Sequence, residues 1–252
     1  MDLNSDVGEG FGPWRMGDDE ALVDVVTSVN IACGFHAGDP LIMDRTVRLS
    51  AARGLGVGAH PGINDLWGFG RRRIEGDSPD DLATMIVYQV GALKAVAQRH
   101  GCAVRHIKLH GALSNVAATD PALADAIATA VAGIDPGLMW LVPSGSVMAA
   151  AGERAGLVVR HEVFADRAYA DDGTLVPRSR AGAVIDEPGA VADRAVRMVV
   201  EGGVASVSGR FLPLTADSIC VHGDTPGAVE VARAVRAALE SAGVELSPLI
   251  RG

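Results

Sequence analysis

Acids, imidazoles and one ammonium group recur in this chain where short apolar segments end. The opening run Asp2-Leu3-Asn4-Ser5-Asp6-Val7-Gly8-Glu9 places Asp2, Asn4 and Asp6 at alternate positions, and alternate side chains of a strand share a face. In Ile31-Ala32-Cys33-Gly34-Phe35-His36-Ala37-Gly38-Asp39 a glycine-flanked turn delivers His36, and in Gly58-Ala59-His60-Pro61-Gly62 the proline stops a strand at His60. Lys108-Leu109-His110-Gly111 puts Lys108 and His110 on one face, and Val221-His222-Gly223-Asp224 supplies a further imidazole and carboxylate. The chain has 7 histidines, and His36, His60, His110 and His222 each fall at or just past the end of a different strand segment.

Such a set of His, Asp and Glu suits three tasks: binding a divalent metal, activating water, or holding a carboxylate. Spacing does not separate them. There is no HExxH, so a metal site would have to be assembled from several strands. Asp39 precedes Pro40 and suits a helix cap as well as a ligand. A lone rim histidine is ordinarily structural, whereas Lys108 in a mostly apolar segment needs a carboxylate or ligand to offset its lost hydration. The breaker-rich stretch from Asp166 to Gly182 has the length of a lid, and within it Arg167, Arg178 and Arg180 offer guanidinium forks for a carboxylate or phosphate. Arg167, nearest a strand end, is the best placed of them. Neither GxxxxGK[ST] nor GxGxxG occurs, so no conventional nucleotide loop is encoded.

The elements that must carry these groups alternate. Apolar segments bounded by glycine or proline predict strands at Met1 to Asn4, Val29 to Cys33, Gly56 to His60, His106 to His110, Met139 to Val142, Val158 to Val163 and Ser218 to His222. Val204 to Ser208 followed by Phe211 to Leu214 reads as a local hairpin or an irregular extra strand. Asp39-Pro40, Ser78-Pro79 with Asp81, Asp120-Pro121 and Thr225-Pro226 carry the oxygen-then-proline signature of helix starts. Behind Ser78, the spacing of Leu82, Ile86, Val90, Leu93 and Ala97 is helical. Strands alternating with helices predict an α/β fold around a parallel sheet, and polar groups at strand C-termini are where such barrels keep their active sites. No repeat or linker divides the chain, so residues 1–252 are expected to form one domain.

Composition narrows the function class. At 48% hydrophobic and 21% charged, the chain has material for a large core. A formal net charge of -9 with scattered basic residues gives no stripe for nucleic acid. No apolar run approaches membrane-span length, and the polar opening is unlike a leader, so cytoplasmic residence is expected. Cys33, Cys102 and Cys220 show no CxxC spacing; they read as reduced thiols, and no chemistry is assigned to them.

The motifs quoted above, with Phe69-Gly70-Arg71, the stretch from Val104 to Gly111, Glu162 through Tyr169, and Leu175-Val176-Pro177-Arg178-Ser179, resemble the LamB/YcsF family, the A subunits of prokaryotic 5-oxoprolinase. The resemblance covers almost the whole chain in order. It implies a distorted (β/α)7-8 barrel of the glycoside hydrolase/deacetylase type, and hydrolysis of 5-oxo-L-proline to L-glutamate with ATP as co-substrate, together with B and C subunits. In that reading Asp6, Glu9, His36, Lys108, His110 and His222 are the catalytic candidates, while Asn4, Asp39, His60, Asp166, Arg167 and Asp224 are candidates for holding substrate. Leu109 stands where the family has proline, and Ser114 near a family tyrosine, which leaves the surroundings of Lys108 and His110 open. The rival readings are a metal-dependent deacetylase or amidohydrolase acting alone, and a non-catalytic subunit that carries a small acidic metabolite.

Overall fold

The computed structural model describes residues 1–249; Ile250, Arg251 and Gly252 lie outside the described residues. The main sheet is a closed barrel of parallel strands: β1 (Asp2–Val7), β2 (Ser28–Ala32), β3 (Gly56–His60), β4 (Val104–Lys108), β5 (Met139–Pro143), β6 (Val158–Phe164) and β9 (Ser218–Cys220). Between β6 and β9 the chain inserts an antiparallel pair, β7 (Gly203–Ala205) and β8 (Phe211–Pro213), outside the barrel, as the hairpin pattern predicts. Closure comes through β9, which pairs Ser218 with Glu162 on one side and with Asp2 on the other. This ladder is the long-range event of the fold, because it joins the two ends of the described chain.

Helices α1 (Asp19–Leu22), α2 (Pro40–Ala52), α3 (Pro79–Arg99), α4 (Gly111–Ala117), α5 (Pro121–Ile134), α6 (Val147–Arg154), α7 (Pro188–Val200) and α8 (Ala228–Ser241) cover the outside. Three of the expected starts hold: Asp39 accepts hydrogen bonds from the amides of Leu41 and Ile42, Ser78 and Asp81 form a capping box, and Asp120 caps α5. Thr225-Pro226 is not a cap. The Thr225 carbonyl accepts the Ala228 amide in a turn, and α8 starts only after Gly227, whose φ of 80° belongs to the left-handed region. Glu187, before Pro188, caps α7 instead, a start that the oxygen-then-proline pattern of shorter side chains does not include.

Alternation along the strands divides the wall. Leu3, Val7, Ile31, Ile107, Val163 and Ile219 face outward into one apolar cluster with the helices, where α3 contributes Ile86, Val90, Leu93 and Ala97. Only β3 has both of its expected ends; β2, β5 and β6 shift by one residue, β9 stops at Cys220 so that His222 lies beyond it, and β1 and β4 differ most. Strand β1 runs on to Val7 because Asn4 to Val7 pair in register with Ser28 to Ile31, and β4 ends at Lys108, so His110 precedes α4 rather than closing the strand. No helix among the described residues is long and apolar enough to cross a membrane.

Candidate active site

Inside the barrel the wall is polar. At its floor Thr27 donates to Asp2 at 2.7 Å and Ser218 also donates to Asp2. One layer up, the Asn4 amide donates to Glu162 at 3.0 Å and to Ser218 at 2.7 Å, while the Asn30 amide donates to Asn4 at 2.7 Å and to Asp6 at 2.9 Å. His106 completes this layer by donating from Nε2 to Asn30 at 2.8 Å. A Cβ on Gly58 would lie 2.1 Å from that imidazole nitrogen, so β3 must carry glycine where β4 sends a ring across the barrel.

Lys108 rises through the centre of this network. Its ammonium lies 2.8 Å from Asp6 Oδ1, 3.0 Å from Glu162 Oε1, 3.3 Å from Asn4 Oδ1 and 3.0 Å from Cys220 Sγ. Burial opposes the charge, yet Asp6 and Glu162 hold the Lys108 pKa well above its ordinary value. Burial likewise works against the Asp6 carboxylate, and His60 and Lys108 outweigh it, holding Asp6 well below the usual range. Burial pushes the Glu162 carboxyl and the Cys220 thiol upward, and carries the His106 imidazole down to about 3. The layer is therefore a fixed field: a buried cation held between the Asp6 and Glu162 carboxyls, with hydrogen-bonded amides and an imidazole around them.

Above it, loops bring together the rim residues. Glu9 Oε1 lies 3.1 Å from His36 Nε2, 3.4 Å from His110 Nδ1 and 4.0 Å from His60 Nε2. Gln89 of α3 clamps the loop after β3 by accepting from the Gly62 amide and donating to the Gly62 carbonyl. Burial and then the Asp6 charge raise Glu9 well above the carboxylate range, and burial lowers His36 and His110 well below the imidazole range. Across the mouth, His222 donates from Nδ1 to Asp166 at 2.8 Å, and the His222 amide donates to the same carboxylate at 3.1 Å. Burial disfavours the Asp166 charge, but His222 prevails and holds its pKa below the ordinary value. With Nδ1 so occupied, Nε2 is the basic nitrogen of His222. Asp6, Cys220 and His222 present ligand atoms within 4.8 Å of one another, which links this dyad to the central network.

These groups surround a cavity of about 1100 Å³, open at the C-terminal end of the strands. Asp6, Glu9, His60, Lys108, His110 and His222 line it, as do Arg167 and Asp224. His36 and Asn4 sit behind that lining, both fully buried, and Asp166 reaches the cavity through His222. Asp39 stands apart: it caps α2 and accepts the Gly12 amide at 2.8 Å, so its carboxylate is engaged with backbone rather than directed at the cavity. Arg167 lines the cavity, but its Nε and Nη2 donate to the carbonyls of Ala183 and Val176, which anchors the loop that follows β6. That loop is further braced where Tyr169 accepts the Phe164 amide. Asp224 accepts from Arg71 at 2.7 Å and lies 3.8 Å from Arg178, whose buried Nη2 has no hydrogen-bond partner. Arg180 is exposed.

Asn30, His106, Glu162, Cys220 and Arg71 belong to the assembly without having been candidates. His106 carried a signal, two residues before Lys108 and so on the same face. Glu162 shares a face with Arg160 and Phe164, and only the pairing of β6 with β9 shows which way it points. Leu109 is buried against the outer apolar cluster, and Ser114 lines the cavity.

The likenesses to known proteins extend over the same length. The LamB/YcsF family model matches residues 1–251. The chain is 54% identical over 252 residues to a 5-oxoprolinase A subunit of Rhodopseudomonas palustris (strain BisA53), covering 100% of this chain and 99% of that protein. It is equally 54% identical over 252 residues to a 5-oxoprolinase A subunit of Bradyrhizobium diazoefficiens, covering 100% and 98%. Among solved structures, the lactam utilization protein of Thermus thermophilus superposes with a TM-score of 0.92 at 46% identity, over 98% of this chain and 99% of that one. Neither the stand-alone deacetylase nor the non-catalytic carrier is favoured by these likenesses. With a whole-length family match, closely similar relatives and the same barrel, the chain belongs to the LamB/YcsF family.

Proposed function

We propose that this chain is the lactam-hydrolysing A subunit of an ATP-dependent 5-oxoprolinase, acting in the cytoplasm with B and C subunits. The observation that carries the reading is the Asp166–His222 pair set against the Lys108–Asp6 ion pair at one cavity mouth. Relatives at 54% identity that are named as 5-oxoprolinase A subunits, and a lactam utilization protein with the same fold, supply the substrate class. Free cysteines suit a reducing compartment.

An unstrained lactam carbonyl is a poor electrophile, and phosphorylation of its oxygen by ATP within the complex supplies a leaving group. No step of that transfer is assigned to residues of this chain. His222 Nε2, with its tautomer fixed by Asp166, takes a proton from water, which attacks the ring carbon. The ring C–N bond then breaks, the nitrogen takes the proton held by His222 to become the amine of glutamate, and a second water hydrolyses the acyl phosphate left on the ring carbon, releasing phosphate and the side-chain carboxylate. Lys108 is held by Asp6, Asn4 and Glu162, so it sets the field for developing negative charge rather than binding the substrate carboxylate. That carboxylate falls to Arg178, whose Nη2 lacks a hydrogen-bond partner, with Arg71 beside it on Asp224. The cavity exceeds what a small lactam fills, leaving room for a phosphorylated form. The test is ATP-dependent glutamate release from 5-oxoproline with the three subunits, each omitted in turn. Release should vanish without this chain, and undiminished release would refute the reading.

A further inference from the structure

The rim cluster contains a conflict of lone pairs. His60 Nδ1 is 2.8 Å from the Lys108 carbonyl, and His110 Nε2 is 2.8 Å from the Phe69 carbonyl. Carbonyl oxygens only accept, so those nitrogens bear the protons, and in neutral rings the other nitrogens present lone pairs. Those two lone-pair nitrogens, His60 Nε2 and His110 Nδ1, face each other at 3.0 Å. Carboxylate oxygens add to the crowding: Glu9 Oε1 is 3.4 Å from His110 Nδ1, and Asp6 Oδ2 is 3.3 Å from His60 Nε2. His36 joins with Nε2 at 3.1 Å from Glu9, its ring stacked on His110 at 3.6 Å between centroids. With the imidazoles neutral and Glu9 ionised, the forms in which these groups ligate a metal, the acceptors converge without a donor and repel one another, and a cation between them removes the repulsion.

We propose that Glu9, His36, His60 and His110 hold a divalent transition-metal ion. Their four ligand atoms all lie within 4.8 Å of one another, a span that ions with bonds of about 2.0–2.2 Å bridge with small side-chain movements. The outer shell is already in place, since a metal-bound imidazole ordinarily donates its far N–H to a carbonyl, as His60 and His110 do here. Packing keeps the rings where they are. A Cβ on Gly62 would lie 2.7 Å from His36 Nδ1, and one on Gly70 would lie 2.6 Å from His36 Cβ and 2.8 Å from His110 Cδ2, so glycine is required at both positions. Three imidazoles and one carboxylate suit zinc and neighbouring borderline ions rather than magnesium or calcium. Glu9, His60 and His110 line the cavity while His36 lies behind, so a fifth coordination position on the ion would face substrate. There the ion would polarise a carbonyl or acidify a bound water. The ion-binding claim stands apart from the lactam reading and is tested without turnover.

The full-length protein is loaded with Zn²⁺ or Co²⁺, dialysed against metal-free buffer, and assayed by mass spectrometry for metal content and by visible absorption of the Co²⁺ form. One equivalent with cobalt d–d bands is expected, with affinity lowered at least about 100-fold in His60→Ala and His110→Ala. His100→Ala, at a half-buried residue paired with Asp44 outside the cluster, should bind normally. Glu9→Gln keeps the shape of the site, and its unliganded Tm should match the parent while the Zn²⁺-induced rise in Tm disappears. Retention of less than a tenth of an equivalent, or a Zn²⁺ shift that survives in Glu9→Gln and His110→Ala, would overturn the proposal. So would a doubly protonated His60 in ¹⁵N spectra of Zn²⁺-treated protein, because a proton would then fill the place given to the ion.

Discussion

The two faces of the barrel wall are built from the same strands and obey opposite rules. Along β4, Ile107 points outward into apolar packing against the helices, whereas His106 and Lys108 point inward to Asn30, Asp6 and Glu162. Along β1, Leu3 and Val7 pack outward while Asp2, Asn4 and Asp6 join the inner network. Outside, non-directional burial supplies stability and tolerates loss of precision. Inside, Asn4, Asp6, Asn30, Lys108 and Glu162 hold one another, and removal of one strands the rest. The molecule thus separates what keeps it folded from what does chemistry by a period of two residues.

Lys108→Met should break this division most severely. It leaves Asp6 and Glu162 buried without their cation, a loss of about 3–5 kcal/mol by urea unfolding, and it should abolish turnover. Adding Glu162→Gln should restore part of the stability and none of the activity; if both return together, the inner network is structural only. Asp166→Asn comes next. It removes the group that orients His222 and should lower kcat by about 10²–10⁴-fold with little change in Tm, measured in the reconstituted complex.

Ile107→Ala sharpens the comparison from the other face. It should cost about 2–4 kcal/mol while kcat per folded molecule stays within about twofold of the parent. A hundredfold fall in kcat would show that the two faces are mechanically coupled. Asp19 tests burial without catalysis, since desolvation raises its carboxyl to about 6 and it accepts the Gly8 amide at 3.0 Å. The native state keeps this proton longer than the unfolded chain, so its contribution is greatest below about pH 4 and declines as pH rises through about 6. Asp19→Asn should remove that part of the pH slope in denaturant titrations. The smallest effect is expected at Asp39→Ala, where loss of the α2 cap costs about 1 kcal/mol and leaves turnover unchanged. Impaired substrate binding there would return Asp39 to the site.

Much of this was legible along the chain. Alternation in Asp2-Leu3-Asn4-Ser5-Asp6 and in Lys108-Leu109-His110 is local, so it predicts a shared face before any partner is known, and a proline after Asp39, Ser78 or Asp120 marks a helix start by backbone chemistry alone. Thr225-Pro226 has the same letters and failed, because a turn closed by the Thr225 carbonyl and a left-handed Gly227 took the place of the cap.

The parallel strands and the histidine-rich rim follow from patterns within segments, and the motifs they contain carry the family resemblance, which implied the barrel. Tertiary structure decided the partners: that Glu162 faces Lys108, that Arg167 holds a loop while Arg178 Nη2 sits near Asp224 without a hydrogen bond, and that His60 Nε2 and His110 Nδ1 meet. Periodicity tells a side chain which face it occupies. Only the register between strands far apart in sequence, β6 with β9 and β9 with β1, tells it what stands opposite.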